Sequence, residues 1–150
     1  MSSPPWPAAC RAQPPTAAFC LPRVHSFPQS SALSQEMVRT LMHHALTTWG
    51  VESGLKFQEV GFQSPTEPDI VIDFARAYHQ DSYPFDGQGG TLAHAFFPGE
   101  HSISGDTHFD DEEIWTYGSK GTTFRDVLSP SLSVPMKSHV SMDAVSVGFL

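Results

Sequence analysis

Four residues stand at spacings that suit one metal ion: His79 and Asp81, two apart, then His94 and His108. Three imidazoles and one carboxylate form a closed tetrahedral ligand set for Zn²⁺, with no position left open for water. Such a set ties a chain together and activates no nucleophile. His79-x-Asp81 is expected on an extended segment, where alternation turns both side chains to one side. His94 falls at the centre of one expected strand, and His108 lies in the next, two residues before Asp110.

Oxygen ligands lie close by. Phe85-Asp-Gly-Gln-Gly-Gly90 is a glycine-rich turn that opens with Asp86. Glycines let backbone carbonyls face a cation, and Asp86 brings charge, so the turn suits Ca²⁺. Asp110 and Glu113 complete that oxygen cage from the far side. A second cage draws on Asp69, Asp106 and carbonyls of the Ser102–Ser104 loop. Between Asp69 and Glu113 there are ten acids and one base, Arg76. A folded segment so charged repels itself, and divalent cations relieve that repulsion. A run of like charge is more often a plain solvated face; the histidine spacing is what favours metal. A Ser104–His108–Asp110 hydrolase set is also readable, but it lacks a nucleophile elbow.

The elements that must carry these residues are few. One helix is expected from Gln35, with Ser34 as N-cap, Glu36 in its first turn, and Gly50 and Gly54 as stop signals. Val38, Met42, Ala45 and Trp49 form its apolar stripe, with Met37, Leu41 and Leu46 beside them. His43 and His44 are adjacent, so they share no face as a ligand pair. Strands are expected over Arg23–Phe27, Leu55–Val60, Asp69–Ala75, Thr91–Phe97 and Thr107–Asp110, the third a β-branched run typical of a sheet centre. One helix and several strands give an α+β fold.

The chain has 150 residues, enough for one domain. Composition divides it into a Pro-rich leader over 1–22, expected to be irregular, a patterned middle over 23–120, and a tail over 121–150 without sustained period. Net charge is −8 and only 16% of residues are charged. Nucleic acid needs a basic face, so it is not an expected partner; the same charge argues against an anionic membrane surface. No apolar run is long enough to span a bilayer. The first residues lack the basic and apolar regions of a secretory signal, which places the chain inside the cell if it is translated as given. Cys10 and Cys20 are the only cysteines; two can close one disulfide in an oxidising compartment.

Three motifs in order, His79-Gln-Asp81, Asp86-Gly-Gln-Gly-Gly-Thr-Leu-Ala-His-Ala95 and Gly105-Asp-Thr-His-Phe-Asp-Asp-Glu-Glu-Ile-Trp115, resemble the catalytic domain of a matrix metalloproteinase. From Ser26-Phe-Pro-Gln-Ser-Ser31 to Lys120 the chain is similar to the GPI-anchored membrane-type subgroup. The resemblance implies a partial metzincin domain, a twisted sheet with helices, from a zinc- and calcium-dependent family that works outside cells or at their surface. It implies a structural zinc at His79, Asp81, His94 and His108. It implies one calcium on Asp86, Asp110, Glu113 and the carbonyls of Gly87, Gly89 and Thr91. It implies a second on Asp69 and Asp106 with the carbonyls of Ser102 and Ser104. The strand at Leu92–Ala95 would be the edge that pairs with an extended peptide.

The catalytic zinc of that family needs HExxHxxGxxH on a helix. No histidine here is followed by Glu: His25, His43, His44, His79, His94, His101, His108 and His139 precede Ser, His, Ala, Gln, Ala, Ser, Phe and Val. The latency motif PRCGxxD is missing as well. After Lys120 the residues no longer resemble the family. The expectation is a truncated, pseudogene-like zinc- and calcium-binding protein without peptidase activity and without catalytic residues. The alternatives are a zinc-dependent metalloendopeptidase of extracellular matrix proteins, as the family implies, and a peptide-binding decoy. The Ile70–Phe74 face is expected to lie open unless the tail covers it, so the chain is expected to be monomeric or prone to aggregate.

Overall fold

A computed structural model describes residues 11–13, 17–97, 99–117 and 122–123. The helix forms as its pattern predicts. Helix α1 runs Gln35–Ser53; the Ser34 hydroxyl accepts the Met37 amide, and Gly54 closes it at φ 73° with its N–H on Gly50 O. A left-handed C-cap of that kind is the usual place for glycine. Gly50 is not a stop signal: it lies within α1, and its carbonyl accepts the Gly54 amide. Val38, Met42 and Ala45 are buried, whereas His43 and His44 face solvent.

The strands are β1 (Arg11–Gln13), β2 (Ala17–Cys20), β3 (Pro22–Val24), β4 (Lys56–Phe57), β5 (Ile70–Ala75), β6 (Ala93–Ala95), β7 (Thr107–Asp110), β8 (Trp115–Thr116) and β9 (Thr122–Thr123). The main sheet has the order β3-β5-β7-β6, parallel except for antiparallel β6 at one edge. A second sheet has the order β1-β2-β4. Only Leu21 separates β2 from β3, so one extended run serves both sheets. Gln58 N–H donates to Cys20 O and Val60 N–H to Pro22 O, carrying β4 alongside both halves of that run.

Regular pairing begins ahead of the boundary expected at residue 23. Phe19 and Cys20 pair in parallel with Lys56 and Phe57, and β1 pairs with β2. Neither partnership is visible in local composition, since both depend on where the chain returns. Cys20 is 1% exposed and is disulfide-bonded; Cys10 lies outside the described residues. Of the tail, only β9 is described, paired with β8.

The core sits between α1 and the main sheet. Val24, Val38, Met42, Ile72, Phe74, Leu92, Ala93, Phe109 and Trp115 form one cluster. Phe109 stacks on Phe74 at 5.2 Å between ring centroids, and Trp115 meets both rings edge-on. The open face expected for β5 is therefore not open: Ile72 and Phe74 are 3% and 7% exposed. Helix α1 and Trp115 supply the cover. No helix among the described residues is long and apolar enough to cross a membrane.

Candidate metal centre

Pairing of β6 with β7 sets His94 directly opposite His108. His79 and Asp81 reach them from the loop after β5, and that loop is not the extended segment expected. Ala77 (φ 45°) and Gln80 (φ 74°) both adopt left-handed backbone. Non-glycine residues take that conformation at a cost and hold it where surrounding structure over-determines it. Here it bends the loop so that His79 and Asp81 aim at one point.

The four donor atoms all lie within 4.8 Å of one another, the one such group of histidine, cysteine and acidic side chains among the described residues. His94 Nε2 lies 3.2 Å from His79 Nε2, 3.1 Å from His108 Nδ1 and 2.9 Å from Asp81 Oδ2. The same carboxylate oxygen is 2.8 Å from His79 Nε2 and 2.9 Å from His108 Nδ1. Around a tetrahedral zinc with ligands at about 2.0–2.1 Å, donor atoms stand roughly 3.3 Å apart. The spacing fits.

Hydrogen bonding cannot account for this arrangement. A ring nitrogen has one in-plane direction, either a lone pair or an N–H, whereas His94 Nε2 faces three heteroatoms. His79 Nδ1 lies 2.8 Å from Ala77 O, a carbonyl that can only accept. His79 therefore carries its proton on Nδ1 when neutral, and its Nε2 lone pair points at a carboxylate oxygen. A histidine fixed this way from behind is the usual condition of a metal ligand.

The electrostatics agree. Burial pulls His94 below the ordinary imidazole value, against the upward influence of Asp81. Burial also pulls Asp81 up, but the Tyr83 amide and the contacts from His94 and His108 outweigh it, and the net direction is down. Neutral imidazoles and an ionised carboxylate are the forms that bind metal. Phe85 stacks on His79 and His94 at 4.7 Å and limits access of water.

The oxygen sites are less closed. Asp86 is exposed; its Oδ1 accepts the Thr91 amide, 2.8 Å away, and a Cβ on Gly90 would collide with its carboxylate. Gly87 and Gly89 take φ 84° and 89°, a conformation that favours glycine. Glu113, 3% exposed, accepts the Gly89 amide at 2.5 Å. Asp110 is fully buried; Oδ1 accepts the Glu112 amide, and Oδ2 has no hydrogen-bond partner among the described residues. Burial lifts its carboxyl above the ordinary range; the Glu112 amide opposes, the Glu112 and Glu113 charges push upward, the Gly87 amide adds a smaller pull downward, and the net direction is up. A buried carboxylate oxygen without a donor calls for a cation or a proton. This donor set therefore fits Ca²⁺ chemistry.

Asp69 and Asp106 are brought to neighbouring strand starts but are engaged locally. Asp69 Oδ2 accepts the Leu21 amide at 2.8 Å, and Asp106 Oδ1 the Val71 amide at 3.2 Å. Gly105 (φ 88°) passes so close to Asp69 that a Cβ there would lie 2.7 Å from its carbonyl. Ser102 and Ser104 lie in the adjoining loop, with the Ser104 amide on His101 O. His108 Nδ1 is directed at Asp81, and neither oxygen of Asp110 bonds the His108 ring, so the Ser104–His108–Asp110 reading lacks the link between its acid and its base.

Arg76 is the partner sequence reasoning missed. Its Nε donates to Asp111 Oδ2 at 2.7 Å and its Nη2 to Ser30 Oγ at 2.8 Å. The signal was its position as the lone base in an acidic stretch.

A four-donor cage on antiparallel β6 and β7, fed by the loop after a central parallel strand, carries the resemblance from motif to architecture. Residues 23–147 match the matrixin family, and the chain belongs to that family. The match extends past Lys120, the point where the motif resemblance ends, through residues that contain no HExxH. The chain is 76% identical over 98 residues to matrix metalloproteinase-25 of Homo sapiens, covering 65% of this chain and 17% of that protein. It is 72% identical over 96 residues to matrix metalloproteinase-25 of Mus musculus, covering 64% and 15%. Matrilysin of Homo sapiens is 52% identical over 82 residues, covering 55% and 29%. The chain thus spans less than a third of the length of each of these relatives.

Proposed function

We propose that this matrixin chain is a zinc- and calcium-binding module without a catalytic zinc centre of its own. His79, Asp81, His94 and His108 hold one structural Zn²⁺, which fastens the left-handed loop after β5 to β6 and β7. Asp86, Asp110 and Glu113, with the carbonyls of Gly87, Gly89 and Thr91, hold one Ca²⁺. Asp69, Asp106 and the carbonyls of Ser102 and Ser104 are the second, looser calcium set. The observation that carries the reading is the convergence of four donor atoms within 4.8 Å, with His79 Nδ1 2.8 Å from Ala77 O and its Nε2 2.8 Å from Asp81 Oδ2.

Catalysis is a separate matter. With all four positions filled by protein, the zinc has none left for a water or a substrate carbonyl. None of the eight histidines begins HExxH. The cysteine chemistry favours an oxidising compartment over the cytosol, because a disulfide at Cys20 persists there, and calcium sites of this kind suit calcium-rich surroundings.

Native mass spectrometry with metal quantitation tests the module: one zinc and up to two calcium ions per folded chain. A quenched collagen-like peptide tests the chemistry, and no chelator-sensitive cleavage is expected. A folded chain that takes up no zinc, or one that cleaves the peptide, overturns the respective half. A second reading, peptide capture, is supported by the edge position of β6, which among the described residues pairs on one side only, with β7. Saturable binding of extended peptides, blocked by substitutions in Leu92–Ala95, would support it.

A further inference from the structure

We propose that Arg76 is a built-in counter-cation for the acidic turn after β7, taking at Asp111 the place a metal ion would otherwise fill. The inference rests on the calcium reading above and goes beyond it. Asp110-Asp-Glu-Glu113 brings four acids into one turn, and three of them are buried: Asp110 at 0%, Asp111 at 4% and Glu113 at 3% exposure. Buried carboxylates this close cannot all stay ionised without compensation.

The structure divides the compensation in two. Asp111 is complete: Oδ1 accepts the Gln29 amide at 2.5 Å and Oδ2 the Arg76 guanidinium at 2.7 Å, while its own amide donates to Ala75 O. Asp110, one residue earlier, is incomplete, with Oδ2 lacking any donor among the described residues. One acid of the turn is thus served by the protein's own cation and its neighbour is left for an external one.

The arginine is suited to the task. It stands just past β5, parallel neighbour of β7, and its side chain is half exposed, so holding the charge costs little desolvation. Its second contact, with Ser30 Oγ, pins the loop before α1 to the same turn. It is the only base between Asp69 and Glu113, so nothing else in that stretch can replace it. Arg76 acts through Asp111 and is a positioning residue.

The test uses the full zinc-loaded chain in calcium-depleted buffer, with calcium chloride titrated against the melting temperature. Arg76→Gln should melt below wild type without calcium and recover most of the gap at saturating calcium. Its calcium midpoint should fall at least about tenfold, because removing a positive charge deepens the local potential. Arg76→Lys keeps the charge and should keep the wild-type midpoint. Arg76→Gln with Asp111→Asn removes both charges and should also keep it. An equal loss of melting temperature with and without calcium, at an unchanged midpoint, would mean a merely structural contact and overturn the proposal. If Arg76→Gln does not fold, the double variant decides: folding with the wild-type midpoint supports the proposal, and failure to fold refutes it. A wild-type chain indifferent to calcium would remove the calcium reading and this inference together; a responsive wild type with an unresponsive variant removes this inference alone.

Discussion

Asp81→Asn gives the sharpest test of the zinc cage, because the sign of its effect depends on metal. Asp81 Oδ2 lies within 2.9 Å of all three imidazole nitrogens and is the sole negative charge of the set. With zinc at a thousandfold excess over its dissociation constant, binding stabilises the folded state by about 4 kcal/mol. In a domain of this size each 1 kcal/mol moves the melting temperature by roughly 2–4 °C. Chelation should therefore lower the wild-type melting temperature by roughly 8–16 °C. An amide keeps the shape but loses the charge; an affinity loss of about a hundredfold removes about 2.7 kcal/mol of the metal's contribution, or roughly 5–10 °C. Without metal the order should invert. The Asn amide can donate to the His79 lone pair, whereas the wild-type carboxylate opposes it. Differential scanning calorimetry of both proteins, with zinc and with EDTA, reads both quantities. A wild type that ignores EDTA, or a variant weakened equally in both buffers, refutes the reasoning.

Further outcomes follow from single contacts. Phe109→Ala empties the centre of the Phe74–Trp115 cluster, where Phe109 is 0% exposed, and should cost about 3–5 kcal/mol in urea unfolding. Ser34→Ala removes the oxygen that accepts the Met37 amide at 3.1 Å and should cost about 1 kcal/mol, with helical circular dichroism otherwise unchanged. Gly90→Ala drives a Cβ into the Asp86 carboxylate; the calcium midpoint of the thermal shift should rise while the zinc count stays at one.

Much of this molecule was legible because its signals are local. The α1 stripe, its Ser34 and Gly54 caps and the β-branched β5 each follow from neighbouring residue types. Of the four clustered side chains, His94 and His108 were legible in place because they fall on recognisable strands. The loop that delivers His79 and Asp81 was not, since Ala77 and Gln80 are not residues whose type announces left-handed backbone. Pairing of β2 with β4, and of Arg76 with Asp111, joins segments distant in sequence, and no local pattern records such partners. The expected exposure of β5 failed for a related reason: Trp115 folds back over Phe74, a contact set by the turn after β7.

The parallel pairing of β3 with β5 has a consequence for biosynthesis. Val24 has no sheet partner until Ile72 has been made, and Ile72 none on its other side until Thr107 follows. Helix α1, closed by its own caps, can form on emergence from the ribosome. The nascent chain therefore carries an unmated β3, open to chaperones, until Ile72 has been made, and then a β5 paired on one edge only until the His108 segment arrives to complete the centre.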